Sequence, residues 1–165
     1  MKKKKMRGIK RKVRVLESNI YQMTERFPQE FNWTGYWNLR LPASQEFIET
    51  TVRVKQACAK TLVSRLQHLV HNKPIDQLHA RVILLLKPRD MWYSEIIVFQ
   101  NDTILKEFLS REDDYRKWVP TDDISNSKLL GGIGISPSLK SKAYKEIITE
   151  GGKTSETEFW IIGEI

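Results

Sequence analysis

Two short apolar runs constrain the fold of this chain more than any other sequence feature. Residues 82–86 (VILLL) form one run and residues 96–99 (IIVF) the other, with Pro88 in the loop between them. Runs of this length are too short for helices, and their β-branched residues favour strands that are buried on both faces. We therefore predict that the two strands lie at the centre of a sheet.

Two longer stretches have the periodicity of amphipathic helices. The first covers residues 9–26, where apolar side chains recur every three or four positions. The second covers residues 45–72 and has Ser44 as its capping residue. An interruption is expected at residues 50–51, because two adjacent β-branched threonines weaken helix propensity.

The remaining segments complete an α+β pattern. Residues 36–41 alternate as a half-buried strand, residues 103–109 form a short helix, and residues 143–149 and 156–162 form a hairpin around two glycines. Residues 122–137 are rich in Ser, Asn and Gly and are predicted as a loop, whose glycines lack the GxGxxG and P-loop spacings. This order predicts an α+β fold: a mainly antiparallel sheet of about five strands, with the two longer helices packed on one face.

The positive charge of the chain is concentrated at its N-terminus. The 165 residues carry a formal net charge of +8, from 28 basic and 20 acidic side chains. Nine basic side chains and no acidic one fall in the first 14 residues, which leaves 19 basic and 20 acidic side chains in the rest. We therefore divide the chain into a basic arm, residues 1–12, and a single α+β domain, residues 13–165, with the lysines placed before the ordered helix. The predicted anion-binding residues are Lys2, Lys3, Lys4, Lys5, Arg7, Lys10, Arg11, Lys12 and Arg14.

A lone cysteine and the hydropathy of the chain limit its cellular setting. Cys58 excludes an intramolecular disulfide and is predicted to be a small buried core residue. No run of about 18 apolar residues occurs, so no membrane-spanning helix and no membrane partner are predicted. The basic N-terminus lacks the apolar segment of a signal peptide, and a cytoplasmic location is expected.

Aromatic residues interleaved with basic ones are the strongest indication of a binding surface. Bases stack on aromatic rings while arginine and lysine pair with phosphates, and Trp, Tyr and Arg also anchor protein partners. At least half of the aromatic residues are expected in the core, above all Trp37 and Trp160. The predicted ligand-binding residues are Trp33, Tyr36, Arg40, Arg89, Trp92, Tyr93 and Trp118, of which Trp92 and Trp118 are expected to be partly exposed.

The sequence carries no recognisable catalytic motif. His68 and His71 can share a helix face, but no HExxH motif or cysteine ligand accompanies them. Glu95 begins an otherwise apolar strand, where an ion pair with a basic side chain such as Arg81 or Arg40 is the favoured explanation. We predict no catalytic residue, no metal site and no cofactor.

Several aromatic and proline-containing motifs resemble a known family. They are residues 35–37 (GYW) with 41–42 (LP), 92–94 (WYS) before 96–99, 117–120 (KWVP), 144–147 (YKEI) and 160–164 (WIIGE). Together they resemble a small single-domain family of unknown function from bacteria and bacteriophages, over nearly the whole chain from about residue 7 onward. The resemblance implies a single domain and a bacterial or bacteriophage setting, and it assigns no role to any residue.

Three functions agree with these observations. The leading one is a non-enzymatic binding protein for an anionic ligand, a nucleic acid or a nucleotide, that uses the basic arm and the aromatic and arginine residues. The first alternative is a protein-interaction module, such as an immunity or phage counter-defence protein that binds a toxin or an immune effector. The second alternative is a metal-dependent hydrolase that uses either His68, His71 and Glu95 together or the acidic residues near Asp114. No oligomeric state is predicted.

Overall fold

A computed structural model defines the fold over residues 8–122 and 132–165. The helices are α1 (Ile9–Met23), α2 (Gln45–Ile48), α3 (Val52–His71) and α4 (Asp102–Ser110). The strands are β1 (Tyr36–Arg40), β2 (Arg81–Leu86), β3 (Glu95–Phe99), β4 (Arg116–Pro120), β5 (Lys140–Glu150) and β6 (Lys153–Gly163). Two short 3₁₀ turns, Ile75–Gln77 and Met91–Tyr93, precede β2 and β3.

The six strands form one antiparallel sheet in the order β1-β3-β2-β6-β5-β4. The two apolar runs are the adjacent inner strands β2 and β3, and all side chains of residues 82–86 and 96–99 are buried. The predicted central position of these strands and the α+β fold class are therefore confirmed. The sheet has six strands rather than about five.

The additional strand is β4 at the edge of the sheet. It pairs with β5 through residues 116–120 and ends at Pro120, which has no backbone N–H to donate to a neighbouring strand. Its sequence, RKWVP, is short and largely exposed, so it lacks the apolar alternation by which a strand is recognised. For that reason β4 is not predicted from the sequence.

The first face of the sheet is covered by α1 and α3, as predicted for the two longer helices. The predicted break before α3 is also confirmed, because α2 ends at Ile48 and α3 begins at Val52. Each of these helices has a side-chain cap: Ser44 accepts a hydrogen bond from the N–H of Phe47, and Thr51 accepts one from the N–H of Val54. Cys58 lies in this core, as predicted.

The helices α1 and α3 run in the same direction. Lys10 near the start of α1 and Arg53 near the start of α3 line the same groove. At the other end, Arg65 of α3 donates hydrogen bonds to the side chain and the carbonyl of Thr24, the C-cap of α1. The first turns of both helices therefore lie at the same end of the molecule.

Among the described helices, the short helix α4 is the one that packs on the second face of the sheet, and it adds to the predicted arrangement. Ile104, Leu105 and Phe108 pack on this face, as the sequence predicts for the buried side of α4. An aromatic cluster surrounds Phe108, with ring centroids 5.2 Å from Phe99 and 5.7 Å from Trp118. The second face thus has a smaller core of its own.

The N-terminal basic residues fall into two groups in the structure. Helix α1 begins at Ile9, so Lys10, Arg11 and Lys12 belong to the helix rather than to a segment before it. Residues 1–7, which include five of the predicted anion-binding residues, lie outside the described part of the chain, as do residues 123–131 of the predicted glycine-rich loop. None of the described helices is both long and apolar enough to span a membrane.

The C-terminal strand β6 is fixed between β2 and β5. Gly163 is paired with Ile83 and has a φ of 147°, which side chains rarely adopt. The Glu164 carboxylate accepts hydrogen bonds from the N–H of Val82 (2.8 Å) and from Lys73 Nζ (2.6 Å). These contacts join the end of β6 to the beginning of β2.

Candidate functional site

Four basic side chains on the first turns of α1 form a strongly charged surface. We call this surface the cationic ridge and define it as Lys10, Arg11, Lys12 and Arg14, all of which are exposed. The first turn of α1 contains no acidic residue, and its N-cap is Gly8 without a side-chain cap. Positive side chains here are unfavourable for the helix dipole, so helix stability does not explain their presence.

A groove runs along each side of the cationic ridge. The α3 groove, between α1 and the start of α3, has a volume of about 870 Å³, and its lining includes Lys10, Arg14 and Arg53. The α2 groove, between α1 and residues 42–47, has a volume of about 540 Å³, and its lining includes Arg11 and Lys12. The ridge therefore presents basic side chains to both grooves.

Arg53 is a basic residue of this surface that the sequence analysis missed. It is exposed on the first turn of α3, immediately after the cap Thr51 and Val52. Its position outside the apolar stripe of α3 predicts exposure. Its proximity to α1 depends on the parallel packing of the two helices, which no local pattern reveals.

Most of the basic side chains of this surface have no ion pair with a carboxylate of the described residues. These side chains are those of Lys10, Arg11, Arg14 and Arg53. Among the described residues that line the two grooves, Glu17 is the one with an acidic side chain. Partly buried lysines elsewhere do have carboxylate partners: Lys55 with Glu49, Lys73 with Glu164, and Lys87 with Glu146.

Three of the predicted ligand-binding residues lie together near the end of β1. The Arg40 guanidinium is 5.8 Å from the ring centroid of Trp92 and 5.6 Å from that of Tyr93. The two rings contact each other edge to face at 5.0 Å. Trp92 is partly buried and donates hydrogen bonds to Glu49 from its backbone and to the Ala43 carbonyl from its ring. Arg40 and Tyr93 are the exposed members of this cluster.

The loop before Trp92 contains a carboxyl group with a perturbed pKa. Burial is the main cause that raises the pKa of Asp90, and the nearby negative charge of Glu49 adds to it. Asp90 Oδ1 is buried without a hydrogen-bond partner in the described part of the chain. Lys55 Nζ donates to the carbonyl of Arg89 (2.7 Å), while the side chain of Arg89, another predicted ligand-binding residue, is exposed. These contacts hold the loop against α3.

The other predicted aromatic residues lie elsewhere. Tyr36 and Trp118 belong to the aromatic core of the second face, whereas Trp92 packs against the core of the first face. Trp33 is 97% exposed in the turn before β1. Trp118 also donates a hydrogen bond from its ring to the buried carboxylate of Glu146. The structure therefore does not bring the seven predicted residues into one site.

Two of the residues considered for hydrolysis, His68 and Glu95, have a polar partner in the fold. His68 Nε2 is 3.3 Å from the Glu25 carbonyl oxygen, and His71 is exposed at the end of α3. Glu95 accepts a hydrogen bond from Asn38 Nδ2 (2.7 Å), whereas Arg81 is paired with Asp102. Residues 8–122 and 132–165 contain no group of three His, Cys, Asp or Glu side chains that could hold a metal ion.

The fold and the cationic ridge define an α+β protein with a six-stranded antiparallel sheet and a basic helix on its surface. The chain belongs to the family described as Protein of unknown function (DUF3916), whose family model matches residues 17–164. The predicted resemblance to a family of unknown function is thereby supported, and the match begins just after the cationic ridge. No curated protein and no solved structure matches the chain.

Proposed function

We propose that this protein is a non-enzymatic nucleic-acid-binding protein whose main phosphate contacts are made by the cationic ridge. The observation that carries the proposal is the set of four exposed basic side chains within residues 10–14. Five further basic residues precede them in the sequence, with no acidic residue between. A surface of this kind attracts phosphates through a field that is independent of sequence.

A polymer fits this surface better than a single nucleotide does. Basic side chains line grooves on both sides of α1, and a helix with its side chains is about 10–12 Å across. A chain of phosphates can therefore contact both sides at once. The aromatic residues Tyr36 and Trp118 are not included in the proposal, because they contribute to the core of the second face.

The test compares two triple variants that remove the same charge. Lys10→Ala/Arg11→Ala/Arg14→Ala changes the cationic ridge, and Lys140→Ala/Lys142→Ala/Lys153→Ala changes three exposed lysines of β5 and β6. Binding to fluorescent oligonucleotides is measured by anisotropy between about 50 and 200 mM salt. The logarithm of the affinity decreases with the logarithm of the salt concentration, and we expect this slope to become shallower by about 2 to 3 in the ridge variant only. Equal effects of both variants, or no binding by the wild-type chain, would refute the proposal.

A protein-interaction function is a second candidate, supported by Trp33. An almost fully exposed tryptophan on a turn is the kind of side chain that anchors protein partners. If this function is correct, a stoichiometric protein partner will co-purify with the wild-type chain and be lost with Trp33→Ala. Recovery of nucleic acid alone would contradict it.

The cellular setting is also part of the proposal. We propose a cytoplasmic protein of bacterial or bacteriophage origin, in agreement with the free, buried Cys58.

A further inference from the structure

The cationic ridge lies between two grooves, and this limits the shapes of nucleic acid that it can bind. The α3 groove and the α2 groove leave the first turns of α1 standing between them. Lys10, Arg14 and Arg53 face one groove, and Arg11 and Lys12 face the other. A ligand that matches this surface must therefore place negative charge on both sides of a central helix.

Double-stranded DNA has this arrangement. Its major groove is about 12 Å wide and admits an α-helix, which is about 10–12 Å across with its side chains. The two phosphate backbones border the major groove on opposite sides. With α1 in the major groove, one backbone would pass over the α3 groove and the other over the α2 groove.

The alternative nucleic acids match this surface less well. An RNA duplex has a deep, narrow major groove that protein side chains cannot read, so it does not accommodate a helix. A single strand is held by exposed aromatic rings on which its bases stack. Among the described residues that line the two grooves, Phe47 is the one with an aromatic side chain, and it is buried.

We infer that the first turns of α1 enter the major groove of double-stranded DNA, with the α3 groove and the α2 groove beside the two phosphate backbones. This inference rests on the proposed function, because it assumes that the cationic ridge binds nucleic acid. It specifies the class of nucleic acid and the part that Arg53 plays. Arg53 contacts the backbone on the α3 side although it lies outside α1.

The experiment uses the full chain and three probes of the same sequence: a DNA duplex, an RNA duplex and a single DNA strand. We expect the DNA duplex to bind at least about ten times more tightly than the other two at about 150 mM salt. We also expect Arg53→Ala to reduce the salt slope for the DNA duplex by about 1. The control variant Arg111→Ala, which removes an exposed arginine after α4, is expected to leave the slope unchanged.

The outcomes separate this inference from the proposed function. Equal binding of all three probes, or preference for RNA or for the single strand, would overturn the duplex assignment while leaving nucleic-acid binding in place. An unchanged salt slope in Arg53→Ala would also overturn it. If none of the probes binds, the proposed function and the inference are both wrong.

Discussion

Arg65 connects α3 to the end of α1, and its replacement is expected to destabilise the fold strongly. Arg65 Nε donates to Thr24 Oγ1 (2.7 Å), and Nη2 donates to the Thr24 carbonyl (2.8 Å). The guanidinium also lies 4.6 Å from the ring centroid of Tyr21. Arg65 is only 7% exposed, so water cannot easily replace these contacts. Burial lowers the pKa of Arg65, but a guanidinium remains charged in proteins.

The loss of stability that we expect on replacing Arg65 can be estimated from these contacts. Arg65→Met keeps the aliphatic stem and removes both hydrogen bonds from the charged group, each of which contributes about 1.5–3 kcal/mol. The Thr24 hydroxyl still donates to the Ile20 carbonyl, so part of the C-cap remains. We therefore expect the free energy of unfolding to fall by about 3 kcal/mol. With an m-value of about 2 kcal/mol/M, the urea midpoint falls by about 1.5 M.

Urea unfolding followed by circular dichroism measures this change. Arg65→Lys is expected to lower the free energy of unfolding less than Arg65→Met does, because lysine keeps the positive charge and one donor group. Arg111→Ala is the control at an exposed position and is expected to change stability by less than about 0.5 kcal/mol. A loss below about 1 kcal/mol in Arg65→Met would show that these contacts do not stabilise the end of α1 in the way argued.

Three further predictions concern the core. Gly163→Ala is expected to lower the free energy of unfolding by more than about 4 kcal/mol or to prevent folding. The reason is that the new Cβ would lie 2.9 Å from Ile83 Cα, in a backbone conformation with a φ of 147°. A cooperative thermal transition near that of the wild type would contradict this prediction. Glu146→Gln is expected to lower the free energy of unfolding by about 2 kcal/mol in urea experiments, because the ammonium of Lys87 loses its carboxylate partner. The double variant Glu146→Gln/Lys87→Met should recover part of this loss. If the effects of the two single substitutions simply add in the double variant, the two side chains are not coupled as argued. Burial raises the pKa of the Cys58 thiol from 9.0 to about 12, so the folded protein holds the proton more tightly than the unfolded chain does. Stability is therefore expected to fall above about pH 9 by up to about 1.4 kcal/mol per pH unit, and Cys58→Ala should lack this component in denaturation curves at increasing pH; identical pH slopes would contradict the argument.

The central part of the fold is readable from the sequence because its signals are local. Residues 82–86 and 96–99 are apolar on both sides, which predicts inner strands, and the paired threonines at 50–51 mark the break before α3. The edge strand β4 has no comparable signal, since one of its faces is exposed and its partner β5 begins 20 residues after β4 ends. Edge strands depend on pairing, and pairing is not a local property.

The candidate site was predicted only in part, for a related reason. The basic residues of α1 are evident from composition, and their exposure follows from the apolar stripe on the other side of the helix. The aromatic residues are distributed over both faces of the sheet, because Trp92 and Trp118 come from segments whose relative placement depends on strand order. Arg53 joins the site through helix packing. Residue type alone does not reveal which side chains meet in space.

The position of β6 affects how the chain can fold during translation. Strand β6 is the last strand in the chain order, yet it lies between β2 and β5 in the sheet. Until residues 153–163 have left the ribosome, the apolar strand β2 has a neighbour on one side only. A nascent chain at that stage presents an open hydrophobic edge, which favours chaperone binding and pairing with other chains. Synthesis of β6 is therefore the step that gives β2 a neighbouring strand on both sides and ends this exposure.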